Sequence, residues 1–231
     1  MSESINVISF DLDDTLWPGL PTILRAEKLL YQWLSENVSA ITDKYEIEQL
    51  REFRLQLAKD NPELCHDLSR LRVRSFECLA MELSLDEAWI MPAFDVFYQA
   101  RQKVTLFDDV KPVLDELKKD YQLVSLTNGN ADADKTGVGH WFDHSLNSAS
   151  VGKMKSQPEI YQQAQQLASI DASQMAHIGD DPIQDVTGAN AAGVYSIWLN
   201  RNDEKWPLQD NQPDAVISTL HELPALLNSL R

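Results

Sequence analysis

The stretch ISFDLDDTLW, residues 8–17, sets three carboxylates directly after an apolar run. Ile5, Val7, Ile8 and Phe10 read as a buried strand, being mostly β-branched or aromatic. Asp11, Asp13 and Asp14 then follow at once. In a parallel α/β sheet, ligands collect at the carboxyl ends of strands. Carboxylates packed together repel unless a proton or a cation lies between them. The end of this strand therefore predicts a site for a hard cation. Asp11 and Asp13 lie two apart and share a face of an extended chain, from which Asp14 points away.

Working outward, strand-like runs recur at 123–126, 175–178, 194–199 and 215–217. Helical spacing separates them. Val110, Val113, Leu114 and Leu117 share one face, as do Ile160, Tyr161, Ala164 and Leu167. Residues 185–192 are rich in small side chains and end at Gly193, a C-cap signal. Strands alternating with helices predict an α/β fold with a doubly wound, Rossmann-like parallel sheet. After the first strand, however, comes a stretch too long for a crossover and almost wholly helical in pattern. Its apolar faces are Leu29, Leu30, Trp33, Leu34 and Val38; Ile47, Leu50, Phe53 and Leu57; and Leu68, Leu71, Phe76, Leu79 and Leu83. The expected organisation is a core of residues 1–17 and 105–231, with a helical domain of residues 18–104 inserted.

The net charge of −16 argues against nucleic acid or anionic lipid as a partner, since both would be repelled. It leaves room for a small anion at a local site. Cys65 and Cys78 have no metal-ligand spacing and read as reduced, partly buried thiols. The opening MSESIN lacks the basic and apolar regions of a secretory leader, and no run is long enough to cross a bilayer. A cytoplasmic protein is expected.

Other strand ends supply complementary chemistry. Thr127-Asn128-Gly129 offers a hydroxyl, an amide and free backbone N–H groups suited to phosphate oxygens. Gly179-Asp180-Asp181, with Asp185 beyond it, adds the carboxylate oxygens that Mg²⁺ requires. Lys155 offers an ammonium to a transferring phosphoryl group.

Together, DLDDTL at 11–16, LTNG at 126–129, Lys155 in VGKMKSQPEIY and HIGDDPIQD at 177–185 resemble, in order, the four motifs of the haloacid dehalogenase-like hydrolases. The resemblance implies a helical cap of the C1 type and an aspartyl-phosphate mechanism. It makes Asp11 the nucleophile and Asp13 the general acid and base. Thr127 and the Asn128 backbone would hold phosphoryl oxygens, and Lys155 would neutralise the phosphoaspartate. Mg²⁺ would be held by Asp11, the Asp13 carbonyl, Asp180 and Asp185, the last directly or through water. Asp181 would ligate the metal or orient Lys155. The sequence departs from a common pattern in having Ser156-Gln157 after the lysine, and Lys153 competes for the lysine's role.

Asp14 and Thr15 suit a turn cap as well as catalysis. His177 reads as a strand-end packing residue. For the substrate's non-phosphoryl part the sequence offers Trp17, to stack or to pack, and Arg70 and Arg74, one turn apart on a helix face that reads chiefly as solvated. The expected activity is a Mg²⁺-dependent phosphomonoesterase on a small phosphorylated metabolite. DLDDTLW and TNGN resemble the branch acting on flavin mononucleotide and ribitylaminouracil phosphate. A sugar phosphomutase is the alternative. A 2-haloacid dehalogenase is disfavoured, because Asp13 supplies a proton that halide release does not need. Oligomeric state is not legible.

Overall fold

A computed structural model describes residues 4–230. Residues 1–3, and with them the start of the stretch read for a leader, and residue 231 lie outside the described residues. The chain divides into two compact units, residues 1–18 with 105–231, and residues 19–104. Pro18 thus belongs to the first unit.

The first unit is built on six parallel strands: β1 (Val7–Phe10), β2 (Gln122–Thr127), β3 (His144–Asn147), β4 (Met175–Gly179), β5 (Tyr195–Leu199) and β6 (Ala215–Ile217). Their spatial order is β3-β2-β1-β4-β5-β6. β1 is central, so the chain turns to opposite sides of it and opens a crevice at the β1/β4 carboxyl ends. All four residues of β1 and all five of β4 are buried, as expected of strands covered on both faces. One core cluster packs Val7, Val124, Leu126 and Met175 against Ile160, Tyr161 and Ala164 of the helix Glu159–Ala168.

Two sequence expectations need correction. β3 was not anticipated, because HSLN holds a single apolar residue and forms a polar edge, paired only with β2. The helix expected over 185–192 begins earlier, as a π-helical turn Pro182–Thr187 followed by Gly188–Ala191. Asp181 caps that turn by accepting the N–H groups of Ile183 and Gln184, and Pro182 fits its first position. Gly193, at φ +71, ends the segment as expected.

The second unit is helical, with main helices Gly19–Asn37, Ile47–Asp60, Leu68–Leu83 and Ile90–Arg101. Its core joins Ala26, Leu30 and Leu34 to Phe76, Leu79, Ala80, Ile90, Ala93 and Phe97. Leu29 and Leu68, expected on buried faces, are 42% and 41% exposed. The helix Ile47–Asp60 buries no residue. It is tied by charge: Glu27, 4% exposed, accepts from Arg51 at 2.7 Å, Arg54 at 2.5 Å and Arg72 at 3.4 Å. The Arg72 guanidinium also stacks on the Phe97 ring, 3.3 Å from its centroid. Cys65 and Cys78 are free thiols of intermediate burial. No helix among the described residues is long and apolar enough to cross a membrane.

Candidate active site

Three strand ends of the first unit place the predicted residues. Asp11 follows β1 and its N–H donates to the Ile178 carbonyl of β4 at 2.9 Å. This holds Asp11 beside Gly179 and Asp180. Asp14 takes the left-handed conformation, φ +56, and its N–H donates to the Trp17 carbonyl, closing a tight turn. Asp11, Asp180 and Asp185 bring carboxylate oxygens within 4.8 Å of one another. Asp13 is not part of that side-chain cluster. Its Oδ1 accepts the Trp17 indole N–H at 2.9 Å.

Lys155, 3% exposed, sits among the carboxylates. Its ammonium donates to Asp11 and, at 2.6 Å, to Asp185 Oδ1. Lys153, in contrast, is exposed and lies 3.7 Å from Glu159. Of the two lysines, Lys155 is the one among the carboxylates. Asp185 accepts further from His177 Nε2 at 3.0 Å and from the Asp181 N–H at 3.0 Å. Asp180 is held by the Thr15 hydroxyl at 3.3 Å, and its carbonyl accepts the Trp198 indole N–H at 2.8 Å.

The electrostatics follow from this crowding. Burial, and then the charges of Asp185 and Asp180, raise the Asp11 carboxyl well above its usual range despite Lys155. Burial and the Asp185 charge push Asp180 up to about 7. Burial alone would raise Asp185 too, but Lys155 and the His177 contact outweigh it and hold this carboxyl well below the usual range. Lys155 is the mirror case: burial would lower it, and Asp11 and Asp185 raise it. Burial lowers the His177 ring below its ordinary value, against the pull of Asp185. Protein groups alone thus leave Asp11 and Asp180 under-compensated. A divalent cation between them would invert that balance, and hard carboxylate oxygens suit Mg²⁺, so the residues present fit this metal.

The loop after β2 has a role the sequence did not disclose. Asn128 is a clamp: its Oδ1 accepts the Lys155 N–H at 2.8 Å and its Nδ2 donates to Gln184 Oε1 at 2.8 Å. Its side chain is thereby committed to protein. Thr127, 3% exposed, accepts the Gly129 N–H at 2.9 Å. Asp181 neither orients Lys155 nor joins the acidic cluster; its carboxylate caps the π-helical turn. Trp17 is fully buried, so it acts on the site through Asp13 and presents no open face for stacking. Arg70 and Arg74 lie in the second unit and both bond Glu77, at 2.6 and 3.0 Å. His177 is more than the packing residue expected, for both ring nitrogens have polar partners.

Two glycines let these parts close. A Cβ at Gly179 would overlap the Asp185 carboxylate, and one at Gly188 would overlap the Lys155 carbonyl. A cavity of about 470 Å³, lined by Asp14, Phe107, Asp180, Trp198, Arg201 and Glu204 among others, opens beside Asp180. Arg201 braces its wall with a two-pronged contact to Asp109, at 2.8 and 3.0 Å, and a bond to the Thr15 carbonyl.

A nucleophile-like aspartate at a switch-point crevice, with an acidic cluster and a buried lysine, defines a hydrolase of the haloacid dehalogenase-like kind. The family model for haloacid dehalogenase-like hydrolases matches residues 5–193, and the chain belongs to that family. It is 30% identical over 230 residues to the 5-amino-6-(5-phospho-D-ribitylamino)uracil phosphatase YigB of Escherichia coli, covering 96% of each chain. It is 26% identical to a glyceraldehyde 3-phosphate phosphatase of Methanopyrus kandleri, covering 98% of each. A solved structure of a 2-haloacid dehalogenase from Pseudomonas syringae pv. tomato superposes with a TM-score of 0.91 at 35% identity, over 98% of this chain and all of that one. The phosphatase relatives support a phosphoric monoester hydrolase.

Proposed function

We propose that the chain is a Mg²⁺-dependent phosphomonoesterase that works through an aspartyl-phosphate on Asp11. A carboxylate Oδ of Asp11 attacks phosphorus, and the bond to the leaving oxygen breaks. Asp13 gives that oxygen its proton, then takes one from the water that hydrolyses the acyl phosphate. Trp17 sets the Asp13 carboxylate for this exchange. The Lys155 ammonium offsets charge on the phosphoryl oxygens, and the Thr127 hydroxyl and Asn128 N–H bind them. Asp11, the Asp13 carbonyl and Asp180 would hold Mg²⁺, with Asp185, which also holds Lys155, ligating directly or through water. Mg²⁺ supplies the positive charge that lets a phosphate dianion approach four carboxylates matched by one lysine.

The observation that carries this reading is Asp13, which lies two residues beyond Asp11 and is oriented by Trp17. An alkoxide leaving group needs its proton, whereas a departing halide does not. The similarity to YigB supports a substrate of the same kind, a ribityl phosphate bearing a heteroaromatic ring or a flavin-type phosphate. The test is phosphate release from a panel of flavin-type, ribityl and sugar phosphates, with Mg²⁺ and with chelator. Metal-dependent release that vanishes in Asp11→Asn, fastest on ribityl or flavin-type members, is expected. Halide release from 2-haloacids without phosphate release would overturn the activity. Isomerised sugar phosphate as product would indicate a mutase.

A further inference from the structure

His177 lies beneath the site and is 1% exposed. It stands opposite Ser9 in the β1/β4 register, and its Nδ1 is 2.8 Å from Ser9 Oγ. On the other side its Nε2 is 3.0 Å from Asp185 Oδ1, the same oxygen that takes the Lys155 ammonium at 2.6 Å. The Tyr161 ring meets the imidazole edge-on at 5.0 Å. The Tyr161 hydroxyl donates to the Gln184 and Asp185 carbonyls, at 3.0 and 3.2 Å, which fixes the backbone carrying the carboxylate. An ionised carboxylate only accepts hydrogen bonds, so the contact requires a proton on Nε2.

We infer that His177 is a positioning residue: its Nε2–H holds Asp185 Oδ1 in place, and Asp185 in turn sets the Lys155 ammonium at Asp11. Without that N–H, Oδ1 keeps only the lysine, and the carboxylate turns about its Cβ–Cγ bond with the ammonium in tow. The other oxygen, anchored on the Asp181 N–H, cannot by itself fix the lysine. Ser9 sets the ring's own orientation from the neighbouring strand. Contacts of this indirect kind are worth about 10- to 100-fold in activity where they orient a working group.

The inference rests on the phosphatase reading for its kinetic part, and its spectroscopic part stands alone. In His177→Asn the side chain stops at the place of Nδ1, while in His177→Gln an amide N–H reaches the place of Nε2. The Asn variant is expected to lose roughly tenfold or more in kcat with KM little changed, and the Gln variant to recover most of it. Nitrogen-15 spectra of histidine-labelled wild-type protein, free of metal and substrate, should show a proton on Nε2 of His177. An unprotonated Nε2, or Asn and Gln variants that lose activity alike, would overturn the inference. A wild-type protein without phosphatase activity would instead overturn the functional reading, and the spectrum would still decide the hydrogen bond.

Discussion

Each unit of the molecule buries a knot of charge, and the two knots have opposite stoichiometry. In the first unit, one lysine serves a cluster of carboxylates. In the second, three arginines serve one carboxylate, Glu27. The arginine knot finishes its work among its own members: it links three helices and holds one, Ile47–Asp60, that has no fully buried residue and packs Leu50 and Phe53, partly buried, against the core. The lysine knot is left with Asp11 and Asp180 raised above the usual carboxyl range by burial and by neighbouring carboxylates, which is the mark of a site short of positive charge. Surplus negative charge signals chemistry here, and surplus positive charge signals architecture.

Several substitutions break or sharpen this contrast. The largest effect is expected from Lys155→Met, which removes the cation from the reacting site; kcat should fall at least about 10²- to 10³-fold, read as phosphate release by folded protein. Next comes Glu27→Gln, which leaves three guanidiniums facing a neutral group. A loss of roughly 3–5 kcal/mol in urea unfolding is expected, the cost of breaking a buried pair from one side.

Acid should separate the knots as well. Burial would raise Glu27, but Arg54, Arg51 and Arg72 outweigh it and lower its pKa from the ordinary 4.5. Its stabilisation is full above that value and is lost as pH falls through the depressed one. Glu27→Gln should therefore flatten the acid limb of the stability curve. Asp180 has the reverse sign. Its carboxyl, at about 7, keeps a proton in the folded protein that the unfolded chain gives up near 3.8. Metal-free stability should fall as pH rises between those values, and Mg²⁺ should raise Tm more at about pH 8 than at about pH 5. The smallest effect belongs to Arg70→Ala. Its contact with Glu77 is exposed, and a change within about 0.5 kcal/mol in the same urea titration is expected.

The acidic half of this comparison was legible in the sequence and the basic half was not. Asp11 and Asp180 stand out because carboxylates directly after apolar strands break local preference, and only function explains the breach; Asp185 joins them as the next acidic residue past Asp181. Lys155 was named with Lys153 beside it, and burial separates the two. Arg51, Arg54 and Arg72 lie 24, 27 and 45 residues from Glu27, so no local pattern unites them. His177 escaped in the same way, since Ser9 is 168 residues distant. The Asn128–Gln184 clamp spans 56 residues, and Asn128 alone reads as a turn. β3 was invisible for a different reason: an edge strand with one buried face contact carries little hydrophobic signal.

Gly179 and Gly188 lead to a different kind of consequence. Neither has a side chain to contribute, yet a Cβ at either would take space that Asp185 or Lys155 already fills. In a saturation library they should tolerate substitution as poorly as Asp11, although no assay of chemical groups would point to them. A screen for activity would flag them as essential, and their lesson would be one of clearance: the aspartate and the lysine backbone each sit where a neighbouring position was left bare.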